Sequence, residues 1–211
     1  MNGAAVPPAL EQRWLALWER SPATGDGRAE LTVIAERYGE PERRYHTLAH
    51  VADCLAELDR ERRLAERPDE AELALWLHDI VYDSHADDNE RRSAELAAAM
   101  LRRAGLSDAA EPVSRMILAT THSGPAPPGD PALVCDADLA ILGAEPARFA
   151  EYEHRIREEY GWVPEPIYRR RRRAILERLL ARPTIFVTPG FRARLEARAR
   201  ANLSTAIARL G

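Results

Sequence analysis

The chain has 211 residues, 45% of them hydrophobic and 30% charged, with a mean hydropathy of -0.41, which fits a soluble fold with one substantial core and neither a disordered nor a membrane-spanning chain. Its basic residues are all arginine, 30 against 34 acidic ones, for a formal charge of -4. The missing lysine excludes a Walker-type phosphate loop, a Schiff-base lysine and a Ser-Lys dyad, and the negative balance argues against general nucleic-acid affinity. No stretch approaches the roughly 20 apolar residues of a membrane helix, and residues 1–10 lack a basic segment followed by an apolar one. A cytoplasmic protein is the expectation.

Apolar residues recur three and four apart, first as Leu10, Trp14 and Leu17, then as Leu31, Ile34 and Tyr38, the period of helices with one buried face. Gly39 and Pro41 close the second helix, and Pro68 separates the next pair. Asp87 and Glu90 read as a capping box opening a helix over 88–104, which Gly105 ends. Ser107 can cap a helix running to about His122, after which the Pro- and Gly-rich residues 123–131 form a loop. A short buried helix follows over 131–142, then helices over 145–161, 166–181 and 190–210, with a single candidate strand at 184–187. There is no repeat and no composition break, so one all-α domain over 1–211 is expected. Periodicity leaves open whether Trp14, Trp18 and Trp162 serve a core or an interface. Cys54 and Cys135 each lie in an apolar run with no partner at finger spacing and read as buried thiols.

Three polar groups interrupt apolar segments. Tyr45-His46-Thr47-Leu48-Ala49-His50 puts two histidines four apart where an amphipathic helix begins, expected on one face. His78-Asp79 interrupts Leu75-Trp76-Leu77 and Ile80-Val81, and Asp136 and Asp138 lie within Leu133 to Leu142. Buried charge needs a partner, and three such sites are most simply explained if they meet around one cation. Two imidazoles with carboxylates make a mixed nitrogen and oxygen shell suited to one divalent transition metal (Mn, Fe, Co, Ni or Zn), with room for a second. Such a metal activates a bound water near neutral pH.

The order His, His-Asp, Asp on separate helices resembles the HD superfamily of metal-dependent phosphohydrolases over residues 45–142. Arg44-Tyr45-His46-Thr47-Leu48-Ala49-His50, Trp76 to Asp83, Asp88-Asn89-Glu90 and Asp136 to Gly143 look like a small bacterial family of predicted HD phosphohydrolases. The resemblance implies an HD-like helical bundle with additional N- and C-terminal helices. Tyr-His-x-x-x-His and Ala-Asp-Leu also resemble the cyclic-nucleotide phosphodiesterases, which implies that His50, His78, Asp79 and Asp138 bind the metal. In that likeness Asp79 bridges to any second metal and orients the nucleophile, while His46, not a ligand, protonates the leaving oxygen. The glycine-rich segment and long C-terminal nucleotide pocket of those enzymes are absent, so cyclic-nucleotide specificity is not implied.

Asp136, two residues before Asp138, points about 200° away on a helix and suits a hydrogen bond behind the ligands; on an extended segment the two would share a face. His122 is either a ligand of a second metal or a positive charge closing a helix. His85 and His154 are expected at the surface, and Asp87 and Glu90 in a cap. The Arg169 to Arg173 run spreads around a helix and reads as a solvated face, while Arg44 can meet a substrate phosphate. The expected function is a hydrolase acting on a small phosphorylated substrate, such as a nucleotide, by metal-activated water, with no membrane or nucleic-acid partner. The alternatives are a non-catalytic metal- or nucleotide-binding HD module and a di-iron HD-type oxygenase, which needs His122. Substrate identity, metal count and oligomeric state stay open at this level, and no Gly-x-Ser-x-Gly supports acyl chemistry.

Overall fold

The structure, a computed structural model, describes residues 6–124 and 126–211. Residues 1–5, part of the segment read for a leader, and Pro125, in the loop after His122, lie outside the described residues. The fold is all-α, and the described residues contain ten α-helices and no strand. Contacts group the chain into two compact units, Met1–Cys135 and Asp136–Gly211.

The first unit is built on α1 (Pro8–Arg20), α2 (Gly27–Tyr38), α3 (Leu48–Glu61), α4 (Pro68–Leu77), α5 (Asn89–Arg103) and α6 (Ser107–Ala119). Proline opens α1 and α4, where its missing N–H costs nothing, and the Asp26 carboxylate caps α2 by accepting from the Arg28 amide at 2.9 Å. Every residue from Ala71 to Leu77 is buried, so beyond its first turn α4 is the central helix and carries no solvent face. Trp14 of α1 meets the Trp76 ring of α4 edge-on at 5.3 Å and donates its indole N–H to the Gly27 carbonyl at 2.7 Å. Gly27 lets α2 come this close: a Cβ there would lie 2.7 Å from Trp18 Cγ. Trp14 is thus core, whereas Trp162 is 49% exposed.

Glu72, on α4, is the buried carboxylate that packing would forbid without partners. Arg13 (2.8 Å), Arg20 (2.8 Å) and Arg62 (2.6 Å) surround it, tying α1 and the end of α3 to the centre.

Helix ends differ in detail from the sequence expectations. α5 starts after Asp88, which makes no side-chain cap; Asp88 pairs with Arg91 instead, so no capping box forms. Its C-terminus closes as foreseen: Gly105 takes φ +76, the Leu106 amide donates to Leu101 O (2.8 Å), and the Gly105 amide donates to Arg102 O (3.1 Å). α6 begins at Ser107 with Leu106 at the cap position, so Ser107 is a first-turn residue and not the cap.

α7 (Asp130–Asp138) carries the chain from the first unit into the second. Its first residue, Asp130, accepts from the amides of Glu66 and Arg67, both at 2.8 Å. The second unit continues with a 3-10 turn, Leu139–Gly143, then α8 (Pro146–Glu159), α9 (Glu165–Leu180) and α10 (Pro189–Leu210). α10 packs on the turn and on α9. Asn202 donates to Leu142 O and Ala144 O at 2.9 Å each, and Arg198 to Gly143 O at 2.6 Å. Arg172, the one buried residue of the arginine run, pairs with Glu153 and donates to the Tyr152 hydroxyl at 2.8 Å. Residues 184–187 form no strand because two carboxylates take their amides. Glu196 accepts from Ile185 (3.0 Å) and Phe186 (3.1 Å), and Asp136 from Val187 (2.9 Å) and Thr188 (2.6 Å).

Candidate metal centre

Thr47 breaks the chain into α3: its backbone is extended, with φ -120 and ψ 177, and its hydroxyl accepts from the Ala49 amide at 3.3 Å. His46 therefore precedes the helix, and the shared helical face expected for His46 and His50 does not form. His50 lies in the first turn of α3, buried beside Val51, Cys54 and Leu55. The His46 ring instead stacks on Tyr82 (centroids 4.1 Å apart) and stands edge-on to His50 at 5.9 Å.

His78 is at the C-terminal end of α4, its Nδ1 3.0 Å from Leu75 O. A carbonyl only accepts, so Nδ1 carries the hydrogen and the second nitrogen, Nε2, of the neutral ring presents a lone pair. That lone pair faces Asp79 Oδ2 at 3.0 Å and His50 Nε2 at 3.1 Å, while Oδ2 lies 3.6 Å from His50 Nε2. A bare nitrogen against a carboxylate is repulsive. Either the His50 Nε2–H, donated to that lone pair at 3.1 Å, or a metal ion shared by the three atoms relieves this repulsion. Ligands about 2.1 Å from one ion stand about 3.0 Å apart at a right angle and about 3.4 Å apart at the tetrahedral angle, so the 3.0 and 3.1 Å separations fit a shared ion at near-right angles and the 3.6 Å one a wider angle.

Burial alone would raise the Asp79 carboxyl. In their protonated forms the imidazoles of His78, His46 and His50, with the hydrogen bond that only a protonated His78 gives Asp79, outweigh it and hold Asp79 well below the usual carboxylate range.

Two contributors went unnoticed in the sequence. Cys54, one turn after His50, has its sulfur 3.6 Å from both nitrogens of the His50 ring. His50, Cys54 and His78 each offer a ligand atom within 4.8 Å of the others, all three residues are buried, and the group can hold a metal ion. The i, i+4 spacing of His50 and Cys54 was the available signal. Arg43 is the other. Its side chain is 1% exposed and donates to His46 O (3.1 Å), Asp79 O (2.6 Å) and Ile80 O (3.2 Å), with its guanidinium over the Tyr38 ring at 5.0 Å. Nothing in Arg43-Arg44 distinguishes the buried arginine from its exposed neighbour, which donates to Pro41 O and Arg43 O.

The loop after Asp79 is held from α5. Ser93 Oγ accepts from the Val81 amide (3.1 Å) and donates to Val81 O (3.2 Å), and the Asn89 side chain exchanges hydrogen bonds with the Asp83 backbone at 3.0 and 2.9 Å. Asn89 thus gives Asp88-Asn89-Glu90 a structural meaning. Tyr38 accepts from the Asp79 amide at 3.3 Å and donates to Trp76 O at 3.1 Å, fixing the turn from the other side.

The remaining sequence candidates lie as follows. Asp138 is the half-buried last residue of α7. The buried Asp136 carboxylate holds Val187 and Thr188. His122 ends the turn after α6 with φ +50. His85 and His154 are exposed and pair with Asp83 and Glu158. No helix of the described residues is long and apolar enough to cross a membrane. No family model, curated protein or solved structure matches the chain.

Proposed function

We propose that this chain is a metal-dependent hydrolase of a phosphate ester or nucleotide, of the HD type its motifs resemble. The observation that carries the reading is the neutral-tautomer His78 lone pair turned toward Asp79 Oδ2 and His50 Nε2 at ion-sharing distances. His50, His78 and Asp79 hold one divalent transition metal, and Asp138 is the further ligand expected from the sequence. When bound, the metal supplies a water acidic enough to attack at neutral pH and polarises a phosphate oxygen.

Asp79, kept ionised, orients the attacking water. His46, clamped against Tyr82 and outside the ligand group, protonates the leaving oxygen. Arg44, exposed two residues before His46, meets the substrate phosphate.

Elemental analysis of the purified chain tests this first. One equivalent of transition metal is expected in the wild type and its loss in His78→Ala, with Asp138→Asn testing the second carboxylate alongside. Loaded protein is then assayed on nucleotides and phosphate esters; His46→Ala should keep the metal and lose about 100-fold in turnover. Two equivalents of iron with oxygen uptake would overturn the hydrolase in favour of the oxygenase. A chain that takes up no Mn, Fe or Zn would leave only a binding module.

A further inference from the structure

We propose that Cys54 is itself a metal ligand, so that the centre contains a thiolate and selects zinc or ferrous iron over magnesium and manganese. This rests on the metal reading above and specifies the donor set. Cys54 and His50 lie one turn apart on the buried stripe of α3, which brings both to the same end of α4, where His78 emerges. The Cys54 sulfur lies beside the His50 ring, 3.6 Å from both of its nitrogens, and it shares with His50 and His78 a group whose ligand atoms all lie within 4.8 Å of one another, so a rotation of the thiol about its Cα–Cβ bond brings it onto an ion held by the imidazoles.

The rest of that stripe, Val51, Leu55 and Leu58, is aliphatic, and an aliphatic residue at 54 would satisfy packing equally. The thiol adds only what an aliphatic side chain lacks, a soft donor atom. On binding, the S–H bond breaks, its proton leaves to solvent, and a sulfur–metal bond forms with no change of oxidation state. Thiolate donors suit zinc, iron and cobalt and are poor ligands for magnesium, calcium and manganese.

Cobalt(II) reports the donor set directly. The full chain, stripped with a chelator, is titrated with Co2+ and followed by absorbance. The expected result is an intense near-ultraviolet thiolate-to-cobalt charge-transfer band that rises with the visible ligand-field bands and saturates with them. Cys54 and Cys135 are the only cysteines, so Cys135→Ser leaves Cys54 as the one thiol, and the band should persist there. In Cys54→Ser the visible bands should remain and the near-ultraviolet band disappear. Visible bands without the charge-transfer band in wild type would overturn the thiolate and leave the metal reading standing. A band lost in Cys135→Ser would overturn it too, and an absence of any cobalt spectrum would remove both.

Discussion

Arg43 and Arg44 are adjacent and chemically identical, yet their environments make opposite demands on a substitution. The Arg43 guanidinium spans three carbonyls from two separate segments, before α3 and after α4, and a lysine ammonium is a point charge that cannot serve all three. Arg43→Lys should lower stability by about 2–3 kcal/mol in urea unfolding, through carbonyls left unsatisfied in the interior, while Arg44→Lys should stay within about 0.5 kcal/mol. Equal effects would mean that the clamp does not hold the site. The chemistry-bearing residues were legible because a polar pair such as His78-Asp79 is conspicuous inside an apolar helix. Their supports were not: burial of Arg43, and the turn that takes His46 off the helix, depend on contacts 36 residues away and on one capping hydroxyl.

Helical periodicity was readable throughout because each helix buries one face, and the end of α4, buried on all sides, showed as the apolar run Leu73 to Leu77. Helix starts were less legible, since Asp, Ser and Asn near a boundary can cap, pair or bridge, and only the folded context chooses among these. The same limit applies to 184–187, whose β-branched and aromatic residues suggest a strand but whose amides carboxylates occupy. Packing between elements has its own requirement at Gly143, where a Cβ would fall 2.6 Å from Leu195 Cβ and 2.9 Å from the Leu195 carbonyl. Because backbone and not a flexible side-chain tip stands in the way, Gly143→Ala should cost about 1–3 kcal/mol, read from the thermal or urea midpoint. Gly124→Ala, with nothing within 4 Å, is the control and should change little.

At the scale of the whole molecule, the absence of lysine simplifies alkaline behaviour. Between about pH 9.5 and 12 the groups that ordinarily obscure tyrosine titration, the ammonium side chains, are missing. Burial holds the Tyr168 phenol up to about 12 and also raises Tyr38 and Tyr152. A raised phenol stabilises the fold fully below its unfolded value of about 10, and that contribution is lost as pH climbs through the folded value, because the unfolded chain ionises first. The thermal midpoint should therefore fall steadily from about pH 10 to 12, and Tyr168→Phe should flatten the decline; an unchanged slope would remove Tyr168 as a source.

The segment between α9 and α10 belongs to no helix or strand, yet the carboxylates of Asp136 and Glu196 hold four of its consecutive amides. Those protons reach deuterated solvent only when the two side chains release them. Protection at 185–188 thus reports the opening of α7 and α10, the helices that carry Asp136 and Glu196, rather than local fraying of a loop.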